Sequence, residues 1–189
     1  MKCPDISPWV YIATAAGLLL LPIRILVSGV FAAAFHELCH LCALYVFHIP
    51  VAGISVGIGG AKIRVSEMEN VHEMLVAAAG PAGSLLLCLF HRLVPTVALF
   101  GLVHGLFNLI PVYPLDGGRM LRSILEITVP QFAPQIEQLV SVFTLGYILW
   151  FSVKNLSVSL SLIMTIVLVF CFGKEKLLAK RSGNRYNSA

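Results

Sequence analysis

Apolar residues dominate this chain in long runs, separated by short polar stretches. Six runs predict membrane-spanning helices: about Pro8–Leu21, Ile25–Phe47, Val71–Leu89, Pro95–Ile110, Ile136–Phe151 and Leu156–Phe172. A hydrocarbon core of about 30 Å sets the length required, and the shorter runs need local thinning or burial in protein. Gly80-Pro81 interrupts the third run. Such a break is tolerable only where neighbours satisfy the freed backbone groups. Between the second and third runs, Val51–Val65 (VAGISVGIGGAKIRV) is too short and glycine-rich to span. Its β-prone residues, punctuated by Gly57, Gly59 and Gly60, predict a hairpin dipping towards the membrane. That hairpin is either an ordinary connection or an exposed strand that pairs with an unwound substrate. The expected fold class is an all-α polytopic membrane protein, with about six transmembrane helices and a small glycine-rich β-hairpin between helices two and three. Residues 1–173 form one transmembrane domain and residues 174–189 a basic cytoplasmic tail.

Composition agrees with this pattern. Of the residues, 58% are hydrophobic and 12% charged, and the mean hydropathy is +0.91. Globular proteins average about 45–50% apolar and about 25% charged, so a soluble domain of this size is excluded. Arg24, Arg92 and Lys154 fall on one side of the predicted helices, and the other Lys and Arg residues on the opposite side. The positive-inside rule then places both termini in the cytoplasm. The tail after Phe172 reads as an anchor against anionic headgroups. Lys2 and the run Trp9–Leu21 resemble a signal peptide only weakly, because the small residues lie inside the run, so it is read as a retained helix. Five cysteines (Cys3, Cys39, Cys42, Cys88 and Cys171), mostly in apolar runs, form no disulfide framework. Cys39 and Cys42 read as small hydrophobes rather than thiolate ligands.

The second run carries His36-Glu37-Leu38-Cys39-His40, an H-E-x-x-H motif. Ionisable groups at membrane depth are costly, which makes them functional candidates. On a helix, residues four apart lie about 40° apart around the axis and about 6 Å apart along it. His36 and His40 can therefore offer two imidazoles to one metal. Glu37 lies too far round the helix to be an equivalent ligand but can reach a water at the metal as general base. Zinc lowers the pKa of such a water to about 7.

A catalytic zinc needs three protein ligands and one open position. Among nine acidic residues, Asp116 stands out, in Asn108-x-x-Pro111-x-x-Pro114-Leu115-Asp116-Gly117-Gly118. It follows the fourth run near the cytoplasmic side, where the second run also ends. The plainer alternative is a turn residue before two glycines. His104, four residues before Asn108, is either a fallback ligand or a packed core histidine. Asn108 could hold substrate backbone or developing negative charge, or join helices as polar glue.

With both motifs in membrane-like contexts, the chain resembles the site-2 protease family of zinc intramembrane metalloproteases. Within it, the sporulation branch typified by stage IV sporulation protein FB is the nearest in pattern. The resemblance runs over about 8–127 and includes the hairpin and Ala79-Gly80-Pro81. It implies that His36, His40 and Asp116 are zinc ligands, that Glu37 is the catalytic base, and that Asn108 and Pro111 line the substrate path. It implies a membrane-embedded or membrane-associated substrate, such as a pro-sigma factor. Cys39 departs from the glycine frequent in relatives and predicts crowding at a helix contact. Neither a PDZ domain nor a C-terminal cystathionine β-synthase-type sensing domain is expected. The expected partners are the substrate, the lipid bilayer and candidate membrane regulators, with no nucleic acid. A membrane metal transporter or a catalytically silent membrane-protein-binding homologue is the alternative. The transporter requires further polar groups across the spans, whose outer halves hold few.

Overall fold

A computed structural model describes residues 5–57, 60–65 and 68–155. The chain folds as strand β1 (Asp5–Ile6), helices α1 (Pro8–Leu20) and α2 (Ile23–Val46), strands β2 (Val51–Gly57) and β3 (Gly60–Val65), then helices α3 (Asn70–Leu86), α4 (Pro95–Asn108), α5 (Asp116–Thr128) and α6 (Ala133–Asn155). A 3-10 turn, Leu87–Phe90, extends α3.

The predicted hairpin is present. β2 and β3 pair antiparallel, with Ile54 opposite Ile63 and Ser55 opposite Lys62. β1 joins the other edge of β2 in parallel, giving the order β1-β2-β3.

α2 begins directly after Pro22, whose fixed φ suits a helix start. Its buried residues are Ser28, Ala32, His36, His40 and Leu44, a strict four-residue repeat along one stripe. The opposite face exposes Val27, Val30, Phe31, Leu38 and Tyr45. This reverses the soluble amphipathic pattern: polar groups point inward and apolar groups outward, as in a helix solvated by lipid. The helix closes at His48, which takes φ 55° where glycine is usual. Ile49 N–H donates to Leu44 O at 2.9 Å and His48 N–H to Tyr45 O at 3.1 Å, satisfying the last carbonyls.

Small residues let α2, α3 and α4 pack closely. A Cβ at Gly101 would lie 2.7 Å from Ser84 O, and one at Gly105 would lie 3.1 Å from Ser84 Cβ. α3 passes through Pro81 without ending, in a segment where Val76, Ala77, Gly80, Gly83 and Ser84 are also buried. α5 packs on α3 and α6.

Two expectations change. Among the described residues, only Ile23–Val46 and Asn70–Phe90 are long and apolar enough to cross a membrane. α1 and α4 have 13 and 14 residues, or about 20 Å of helix at 1.5 Å per residue, short of a core of about 30 Å. α6 has the length but carries Gln135, Glu137 and Gln138 in its first turns. The expected sixth span and the basic tail lie outside the described residues. The second change is α5. Glycines and charges end the apolar run after Pro114, so the sequence pattern predicts a connection there. The structure starts a helix at Asp116. Its buried face is made of Asp116, Gly117, Gly118, Ser123 and Leu125, so packing on α3 stabilises it rather than hydrophobicity of the whole segment.

Candidate metal centre

α2 supplies the first two groups. His36 and His40 are one turn apart on the buried stripe and are 2% and 5% exposed. Their Nε2 atoms lie 3.1 Å apart. α5 supplies the third. Asp116 Oδ2 lies 3.0 Å from His36 Nε2 and 3.2 Å from His40 Nε2. The structure thus joins residues from separate helices, 80 and 76 positions apart in sequence, into one buried cluster.

The donor set fits zinc. Ligands at about 2.0–2.1 Å in a tetrahedron lie roughly 3.3 Å from one another. The three atoms sit at 3.0–3.2 Å, so little movement is needed to admit an ion. They form the group of His, Cys, Asp and Glu side chains best placed for a metal among the described residues. Burial alone would raise the Asp116 carboxyl, but the two imidazoles outweigh it and hold the group at about 2. The carboxylate is therefore ionised, as a ligand must be.

Each ligand is oriented from behind. His40 Nδ1–H donates to the Val76 carbonyl at 2.7 Å. A carbonyl only accepts, so this bond keeps the proton on Nδ1 and leaves Nε2 free for a metal. His36 Nδ1 lies 2.9 Å from Ser84 Oγ, a buried hydroxyl on α3 that can accept the same N–H. Asp116 Oδ1 faces Arg119 Nη1 at 3.6 Å, and Arg119 Nε faces Glu73 Oε1 on α3 at 3.6 Å.

Glycines on α3 and α5 make this geometry possible. A Cβ at Gly80 would overlap His40 Nε2 and lie 2.7 Å from His36 Nε2, in the space between the ligand atoms. Cβ atoms at Gly117 and Gly118 would overlap the backbone of Leu109 and Val112-Tyr113, so only glycine lets the first turn of α5 press against the turn after α4. The crowding expected from Cys39 is absent. Its Sγ occupies the place a Cβ at Gly83 would fill, so a glycine on α3 takes over the role of a glycine on α2.

The remaining predicted residues lie on α2, on α4 and in the turn that follows α4. Glu37 follows His36 on α2 and is half-buried. The ring of His104 meets the ring of His36 edge-on, with centroids 4.6 Å apart, but His104 is not in the ligand group. Asn108 Nδ2 donates to the His104 carbonyl at 3.0 Å. Pro111 lies in the turn between α4 and α5. Sequence reasoning sees Gly80 only as a helix break, not as the close neighbour of the ligand atoms, and misses the roles of Ser84, Val76 and Glu73. Arg119, three residues after Asp116, carries a readable signal, since that spacing shares a helix face.

Residues 67–152 match the model of Peptidase family M50. That stretch includes Asp116, His104 and Asn108 and begins after the two histidines of α2. A candidate zinc metalloprotease of Synechocystis is 35% identical over 105 residues, covering 47% of this chain and 28% of the relative. A zinc metalloprotease of Methanocaldococcus jannaschii is 29% identical over 105 residues, covering 48% of this chain and 31% of the relative. The chain thus spans less than a third of the length of these curated relatives. The solved structure of the site-2 protease from Methanocaldococcus jannaschii shares the fold, with a TM-score of 0.63 at 22% identity, covering 89% of this chain and 85% of that one. The chain is thus similar in sequence to Peptidase family M50 over 67–152 and to two zinc metalloproteases, and similar in fold to a site-2 protease.

Proposed function

We propose that the chain is a zinc-dependent intramembrane endopeptidase that cleaves membrane-embedded or membrane-associated proteins. One observation carries this reading. Three buried metal-ligand side chains converge to 3.0–3.2 Å, two of them on a helix long enough to cross a bilayer. The family match and the zinc metalloprotease relatives support it.

A bound zinc ion supplies Lewis-acid polarisation of the scissile carbonyl and acidifies water. His36, His40 and Asp116 would hold the ion. Glu37 takes a proton from the attacking water as its oxygen adds to the carbonyl carbon. As the C–N bond breaks, Glu37 passes that proton to the leaving amine. Asn108 and Pro111 line the approach. Asn108 is anchored by its own helix through Nδ2, and its Oδ1 has no hydrogen-bond partner among the described residues. A scissile bond must be extended to be reached, because a helix hides its carbonyls. β3 forms the outer edge of the sheet and offers backbone groups for such pairing.

In this reading the protein is multi-pass, with its shorter helices buried in protein or crossing a locally thinned bilayer, and the excess of Lys and Arg on one side puts both termini in the cytoplasm. Its partners are the bilayer, a membrane-associated pro-protein and membrane regulators. Resemblance of the paired motifs to the sporulation branch makes a pro-sigma factor the first substrate to try. Glu37→Gln tests the mechanism in detergent-purified protein. Cleavage of a labelled membrane peptide should fall to background while zinc per chain stays at the wild-type value. Retained cleavage, or loss of zinc in that variant, rejects the role of Glu37.

A further inference from the structure

His104 is left unexplained by the metal cluster. It projects from α4 against His36, ring edge to ring face at 87° and 4.6 Å between centroids. Every other imidazole nitrogen at the centre has a task. His36 faces Ser84 through Nδ1 and Asp116 through Nε2, while His40 faces Val76 through Nδ1 and Asp116 through Nε2. His104 has no side-chain hydrogen bond among the described residues, and its ring is half-buried rather than sealed. A phenyl ring would provide the same edge-on packing without the cost of placing a polar ring in an apolar helix.

The position of this ring is informative. On the α3 side the ligands are closed off by the backbone at Gly80. α4 packs on α2 and α3, and α5 packs on α3 and α6, while α4 and α5 do not pack along each other. His104 reaches the cluster from α4, a different helix from the α3 backbone that closes the ligands off. A neutral imidazole always carries one N–H.

We propose that His104 is a further catalytic residue that donates a hydrogen bond to the scissile carbonyl oxygen as the carbon becomes tetrahedral. It binds the substrate rather than the metal. The ring keeps its proton throughout and forms no bond to carbon, and its contribution is charge stabilisation in a water-poor site. The inference rests on the protease reading above.

The test uses the zinc-loaded full chain in detergent as wild type, His104→Phe and His104→Gln. Phe keeps the edge-on ring and removes the donor, and Gln restores an N–H. Three quantities are measured: zinc per chain, affinity for a phosphonamidate dipeptide whose tetrahedral anion mimics the charged transition state, and kcat and KM for a labelled membrane peptide. Zinc should be unchanged in all three proteins. His104→Phe should bind the phosphonamidate about 10- to 100-fold more weakly and lose about 10²–10³ in kcat with KM near wild type, the size seen when one such donor is removed. His104→Gln should recover part of both. Wild-type phosphonamidate binding in His104→Phe, or no recovery in His104→Gln, overturns the proposal in favour of packing. Loss of zinc in folded His104→Phe overturns it in favour of a ligand role. A wild type that binds the phosphonamidate through His104 but cleaves nothing refutes the protease reading and leaves the anion contact standing.

Discussion

The two sides of the candidate metal centre are built from different material. On the α3 side the contacts are backbone or the lack of a side chain. The Val76 carbonyl holds His40, Gly80 leaves space between the ligand nitrogens, and Gly83 makes room for Cys39. On the α4–α5 side they are mainly side chains, His104 edge-on to His36 and Asp116 beside Arg119, with Gly117 and Gly118 setting α5 against the turn after α4. A backbone wall cannot rotate or exchange a donor for an acceptor, so it holds ligands in place. A wall of side chains can offer donors and adjust. In the proposed reading, ligand rigidity and substrate contact thus fall to different helices. Ser84 and Glu73 are the exceptions on the α3 side: the Ser84 hydroxyl can accept from His36 Nδ1 or donate to it, and Glu73 faces the Arg119 that stands beside Asp116. His36 therefore has the softer support of the two histidines.

The harshest way to break the rigid wall is Gly80→Ala. The new methyl would occupy the space between both ligand nitrogens, and zinc per chain should fall from near one towards zero with helix content retained. Full zinc occupancy in that variant would sink the assignment of the space to the ion. Asp116→Ala should cause a similar loss by removing the only carboxylate in the cluster, and unchanged zinc there would move the third ligand elsewhere. Ser84→Ala sharpens the comparison. It leaves the His36 Nδ1 without its partner and should weaken zinc affinity about 10- to 100-fold in a chelator competition. Excess zinc should restore cleavage. Equal affinity would show that the metal alone orients His36. The smallest effect concerns the Cys39–Gly83 contact. Gly83→Ala should lower the thermal midpoint, and Cys39→Gly should rescue it, with a coupling of about 1–3 kcal/mol in a double-mutant cycle. Additive changes would place the two residues out of contact.

What is legible in the sequence follows the same division. The i,i+4 spacing of His36 and His40 puts both on one face by itself, because helix periodicity is local. Asp116 is readable as a shortage argument, since few of the nine carboxylates lie near the side where the second and fourth apolar runs end. The hairpin is readable from glycines among β-prone residues. The supporting groups are not. Val76 contributes only its carbonyl, and Gly80 only the absence of a Cβ. Such roles leave no signature in residue type. α5 escapes a search for long apolar runs because glycines and charges interrupt it, although Met120, Leu121, Ile124 and Leu125 lie at helical spacing. The Cys39 departure is visible, but its compensation lies on another helix, where sequence distance hides it.

By itself, the sequence determined that polar chemistry sits within apolar helices, that two imidazoles share a helix face, and that a hairpin interrupts the helices. These depend on composition and on short-range periodicity. The tertiary structure alone decided that Asp116 meets both histidines, which hydrogen bond orients each ring, and which glycines the contact requires. Those depend on atoms brought together from helices roughly 30 to 80 residues apart, where sub-ångström steric fit, not residue type, selects the arrangement.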